Sequence, residues 1–140
     1  VQALGANIKA LSTAGLAAMS TDFIVGLSTT QIASLTTAQV KNLTTDQVKN
    51  FGTDQVKALT SIEVGVLTSD QVSALNTDQV RAFDINIKGL STAALVQLST
   101  DSIQALTTTE VNALTTTQVH ALLNSQWNAF TTDQITLLHF

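Results

Sequence analysis

LTTAQVKNLTTDQVKN, residues 35–50, states one eight-residue phrase twice, with Ala38 exchanged for Asp46. The phrase extends in both directions. Large apolar residues recur every eight positions at Leu11, Met19, Leu27, Leu35, Leu43, Phe51, Leu59, Leu67, Leu75 and Phe83, and again from Leu90 to Leu138. Two steps are shorter by one, Leu4 to Leu11 and Phe83 to Leu90. The segments that hold them are related: LGANIKALSTAGL at 4–16 matches FDINIKGLSTAAL at 83–95, an offset of nine octads and one heptad. The whole of 1–140 therefore reads as a single octad-repeat array with an internal duplication of about 4–82 and 83–140. It opens inside one repeat and stops just after another begins, as expected of a piece of a longer repeat protein.

Counting from the leading Leu, position 2 is usually Ser or Thr, also Gly52, Asn76 and Asp84. That is the set preferred at a helix N-cap. Position 3 is nearly always Thr, and position 5 is usually Gln, twice Glu (Glu63, Glu110). Ser/Thr followed three residues later by Gln/Glu is a capping box. Apolar residues before the cap and four after it form a hydrophobic staple. Each octad thus carries a helix start. Thr36 and Thr44 are the expected caps, with Thr37 and Thr45 as the rival assignment.

One continuous helix is excluded. An octad at about 100° per residue rotates the apolar stripe by about 80° per repeat, leaving no common buried face. The expectation is an all-α solenoid of short capped helices, one per octad. Such helices are too short to persist alone and are stabilised by stacking. Leu, Phe, Val and Ile line the inside, and Thr, Asp, Gln and Lys the outside. Two octads per coil is the expected period, with the heptads marking a shift in the superhelix. A β-solenoid is the rival fold, since Thr, Val and Ile favour strands. Against it, alternation of period two is absent and Gln, Lys, Ala and Leu favour helix.

Composition narrows the function. Apolar residues make up 44% of the chain, enough for a core, and charged residues only 11%, well below the roughly 25% usual in soluble proteins. The net charge of −4 and scattered basic residues argue against nucleic acid as a partner. No Cys is present, which removes disulfides and thiolate metal sites, and no apolar run approaches a membrane span.

The units LSTTQIAS, LTTDQVKN and LTSDQVSA resemble the L-[ST]-x-x-Q-[VI]-x-x octads of bacterial secreted and surface repeat proteins. More loosely, they are similar to the LSPEQL-type units of the mesothelin and stereocilin superhelical proteins. The resemblance implies an extracellular or cell-surface role in adhesion or assembly.

Candidate chemistry is sparse. His120 and His139 lack a partner at ligand spacing. Asp46 and Asp54, then Asp70 and Asp78, stand one octad apart and could share Ca²⁺ if neighbouring octads stacked. The simpler reading is that Asp in the first turn complements the helix dipole and pairs with Lys49 or Lys57. Regular Thr pairs could form a hydroxyl array for ice, and Asn42-Leu43-Thr44 is one glycosylation sequon. Trp127, Phe51, Phe83 and Phe130 occupy core columns.

The expected function is non-enzymatic. The chain is read as a structural module of a bacterial extracellular protein, forming a filament, stalk or adhesin scaffold and self-associating end to end or laterally. No catalytic, cofactor or metal residue is assigned. The alternative is a superhelical binding module for a peptide, glycan or surface, including ice. Its deviating units, SIEVGVLT (61–68) and LLNSQWNAF (122–130), would form the binding face.

Overall fold

The computed structural model describes residues 2–140, and the side chains of all of these except 2–4 and 6. Leu4, the first member of the leading apolar column, therefore lies outside the described side chains. Among the described residues there are fifteen short α-helices, two 3₁₀ segments and no strand. The first 3₁₀ segment is Gln2–Ala10. It is followed by α1 (Thr13–Ala17), α2 (Thr21–Val25), α3 (Thr29–Ala33), α4 (Thr37–Asn42), α5 (Thr45–Lys49), α6 (Thr53–Ala58), α7 (Ser61–Gly65), α8 (Ser69–Ser73) and α9 (Thr77–Arg81). The second, Asp84–Gly89, precedes α10 (Thr92–Leu95), α11 (Thr100–Gln104), α12 (Thr108–Ala113), α13 (Thr116–Ala121), α14 (Asn124–Ala129) and α15 (Thr132–Leu137). The helical expectation holds, and the β-solenoid does not.

Each helix starts where the octad's polar pair stands, and position 2 is the cap. The Thr36 hydroxyl accepts from Gln39 N–H at 3.1 Å, and Thr44 from Gln47 N–H at the same distance. The Gln amides answer: Gln39 Oε1 accepts from Thr36 N–H and Gln47 Oε1 from Thr44 N–H, both at 2.9 Å. Position 3 is the first helical residue. Gly52 and Leu123 have no side-chain acceptor, so α6 and α14 carry only the Gln half of the box. In α1, α2, α10 and α11 position 5 is Gly15, Phe23, Ala94 or Ser102, and only the Ser hydroxyl half is made. Thr44→Ala is expected to cost about 1 kcal/mol in thermal unfolding, and Thr44→Ser a few tenths.

The coil has three sides, not two. Every element packs on the third one after it: α1 on α4, α2 on α5, α3 on α6, and so to α12 on α15. One coil is thus three octads. The reason lies in the corners. Positions 1 and 2 are extended, as at Leu59 (φ −69°, ψ 131°) and Thr60 (φ −76°, ψ 165°), so consecutive helices splay apart instead of folding back as a hairpin. Three sides also surround a core, where two would only face each other. Leading residues such as Leu43, Phe51, Leu59 and Phe83 and the position-6 Val and Ile from Ile24 to Val119 are buried, forming one continuous column.

The heptads keep this register. The first 3₁₀ segment packs on α3, and the second lies between α7 and α12. A 3₁₀ helix rises about 2.0 Å per residue against about 1.5 Å for an α-helix, so fewer residues span one side. The second residue of each heptad has positive φ, Gly5 at +46° and Asp84 at +51°. Asp is among the few non-Gly residues enriched there. Asp84 is therefore not an N-cap, although its octad position suggested one.

Candidate functional site

The position-5 side chains, expected on the outside, are buried. Gln31, Gln39, Gln47, Gln55, Glu63, Gln71, Gln79, Glu110, Gln118, Gln126 and Gln134 are each at most 6% exposed. Burying an amide is costly unless its hydrogen bonds are met, and here they are. Gln71 shows the pattern. Its Oε1 accepts from Thr68 N–H at 2.9 Å, while its Nε2 donates to the carbonyls of Val40 (2.9 Å), Lys41 (3.3 Å) and Leu43 (2.8 Å). Those acceptors belong to the end of α4 and the following corner, in the coil before. The amide thus caps one helix start and one helix end at once.

The clasp recurs with fixed register. Gln39, Gln47, Gln55, Gln71, Gln79, Gln118, Gln126 and Gln134 each donate to carbonyls 28 and 31 residues back. Glu63 and Glu110 share the column without an amide N–H. Glu63 Oε2 accepts from Thr60 N–H at 2.8 Å, and Glu110 Oε2 from Thr107 N–H at 2.9 Å. Glu110 Oε1 is buried without a partner. Burial raises both carboxyls above the ordinary glutamate range, against the hydrogen bonds from Thr60 and Thr107. At Glu110 the backbone of Asp84 lowers the value and the Asp84 carboxylate raises it.

One stretch of the column has no Gln clasp. In α10 and α11 the column residues are Ala94 and Ser102, and in the second 3₁₀ segment the residue before the buried Ile87 is the shorter Asn86. Close approach replaces the amide where the second 3₁₀ segment meets α7: a Cβ on Gly65 would lie 2.9 Å from Gly89 O. Asn86 Nδ2 also donates to Leu59 O at 2.9 Å.

The three sides differ in charge. On the side of α2, α5 and α8, position 4 is Asp22, Asp46 and Asp70; on that of α6, α9 and α11 it is Asp54, Asp78 and Asp101. The third side, running through α1, α4, α7, the second 3₁₀ segment, α12 and α15, presents Ala14, Ala38, Ile62, Ile85 and Thr109 before Asp133, and also carries the exposed Lys41, Asp84 and Lys88. Ala14, Ala38, Ile62, Ile85 and Thr109 are all exposed, Ile62 at 71% and Ile85 at 52%. Asp46 and Asp54 therefore lie on different sides, as do Asp70 and Asp78. No group of three acidic or His residues suited to a metal occurs among the described residues. Nor, among the described residues, do Asp46 and Lys49, or Asp54 and Lys57, form the expected ion pairs.

Other sequence candidates separate. His120 and His139 are exposed. Trp127 is half-buried rather than fully in the core, and stacks on Phe140 with centroids 5.8 Å apart. Asn42 of the sequon is exposed, and its amide donates to Ala38 O at 2.8 Å. A shallow open cleft of about 280 Å³ is lined by Thr53, Lys57, Asp78, Arg81, Ala82 and Thr107.

Fold and column together define an all-α, three-sided solenoid of capped octads joined by buried amides. The chain belongs to the ALTTAQ repeat family, whose model matches residues 5–37, 29–61, 51–84 and 86–116. The first two matches begin at 5 and 29, one coil apart. Residues 113–118, ALTTTQ, cover the octad from its last position through the clasp. No curated protein and no solved structure matches the chain.

Proposed function

We propose that the chain is a non-enzymatic structural module of an extracellular bacterial protein, and that it associates laterally with further copies. The observation that carries this reading is the third side, where the line Ala14, Ala38, Ile62, Ile85 and Thr109 has no acidic residue and exposes two isoleucines. Two sides bear stacked Asp residues, which repel a like surface. The third lets another copy approach and bury Ile62 and Ile85. Lateral packing on this side would give a filament, stalk or scaffold. Sedimentation velocity and electron microscopy over a concentration series test it. The protein is expected to assemble as concentration rises, and Ile62→Asp with Ile85→Asp to remain monomeric with unchanged helicity. Monomeric rods at every concentration would overturn the reading.

A second reading, a binding module for a glycan, peptide or surface, draws on the cleft beside Lys57 and Arg81. Glycan-array binding lost on Lys57→Ala with Arg81→Ala would favour it over assembly.

A further inference from the structure

The amide column contains two carboxyls, at places where its other members turn a hydrogen-bond donor to the coil before. At eight Gln positions the Nε2 end meets backbone carbonyls of the coil before. The same register places the carbonyls of Ile32 and Leu35 opposite Glu63. For Glu110 the internal duplication gives the equivalent. It corresponds to Gln31, whose Nε2 donates to Gly5 O at 3.2 Å, and Asp84 corresponds to Gly5. An ionised carboxylate only accepts. Protonated, it keeps one oxygen for the N-cap N–H and offers one O–H, as Gln does. Glu110 is fully buried, and its Oε1 has no hydrogen-bond partner.

We propose that Glu63 and Glu110 are proton-operated members of the clasp: neutral, they donate to the preceding coil as Gln does, and ionised they release it. Acid thus locks α7 to the end of α3 and the corner before α4, and α12 to the second 3₁₀ segment, and higher pH loosens both. This is independent of self-association.

The charged neighbours are few. Lys41 on α4 and Asp84 and Lys88 on the second 3₁₀ segment belong to the elements packed on α7. Asp84, Lys88 and Asp133 of α15 belong to those packed on α12. All four are exposed, and of these only the Asp84 carboxylate acts on Glu110, favouring its neutral form against the Asp84 backbone. The sign follows. A carboxyl whose pKa rises on folding gives its full stabilisation below the unfolded value, near 4.5, and loses it as pH climbs through the raised value.

These are the chain's two glutamates, so ¹³C-glutamate labelling gives two side-chain carboxyl signals. Both are expected to titrate above free glutamate. Midpoints at or below free glutamate would overturn the proposal. Thermal melts of the chain and of Glu63→Gln with Glu110→Gln from pH 4 to 8 give the second readout. The variant is expected to melt with the parent near pH 4 and several degrees above it by pH 8. A gap that is constant with pH, or one that reverses, would equally overturn it.

Discussion

Gly89→Ala is expected to be among the most damaging single substitutions in this chain, costing about 3 kcal/mol or more. The added Cβ would overlap the Ser61 carbonyl oxygen and lie 2.9 Å from its carbon and 3.0 Å from its Cα. These are backbone atoms of α7, so no rotamer relieves the contact. The coil would have to part where Asn86, bound to Leu59 O, is the amide that joins it, and with it the burial of Phe83 and Ile87. Gly65→Ala, opposite, comes close only to the Gly89 carbonyl and is expected to cost less. At the equivalent place in the first copy of the duplication stands Ala10, which is exposed. Urea unfolding of the two variants checks the order. A Gly89→Ala protein as stable as the parent would show that α7 and the second 3₁₀ segment do not pack this closely.

Gln71→Ala is expected to cost about 3–5 kcal/mol, a large part of the roughly 5–15 kcal/mol that holds a typical domain together. The bond accepted from Thr68 N–H and the two N–H groups of Nε2, shared among Val40, Lys41 and Leu43, make about three full hydrogen bonds, each worth about 1 kcal/mol net, and buried groups left unpaired add about 1–2 kcal/mol. Gln71→Glu separates the two halves of the clasp. It keeps the acceptor for Thr68 N–H but turns a carboxylate toward the carbonyls of Val40, Lys41 and Leu43. At neutral pH it should be at least as unstable as Gln71→Ala, and it should recover as pH falls. If Gln71→Glu were indistinguishable from the parent at pH 8, the amide's donor end would have no structural role. The loss should be close to this at Gln39, whose two N–H groups meet Ile8 O and Leu11 O and which lacks only the longer, shared contact that Gln71 makes with Lys41 O.

What could be read beforehand was what depends on neighbours three or four positions away. Thr36 and Thr44 as caps, Leu35 and Val40 as a staple, and the Leu and Val columns as core all follow from the octad itself. Burial of the Gln column did not, because each acceptor lies in another coil, more than three octads back along the chain. A trace of it was present. Glu completes a capping box as well as Gln does, yet the column holds nine Gln and two Glu, a bias that a required donor explains. The three-octad period also left a mark that was missed: Asp22, Asp46 and Asp70 stand three octads apart, as do Asp54 and Asp78.

The sequence by itself determined the helical class, the start of each short helix and the residues that line the core, since caps and staples act within one turn. The tertiary structure decided that three octads close a coil, that the amides turn inward, that Gly89 must be glycine, and that one side exposes Ile62 and Ile85 in place of the stacked Asp residues of the other two. Those properties arise only when residues of successive coils meet, and a repeat of eight is compatible with more than one number of sides until the extended corners and the space between stacked helices select three.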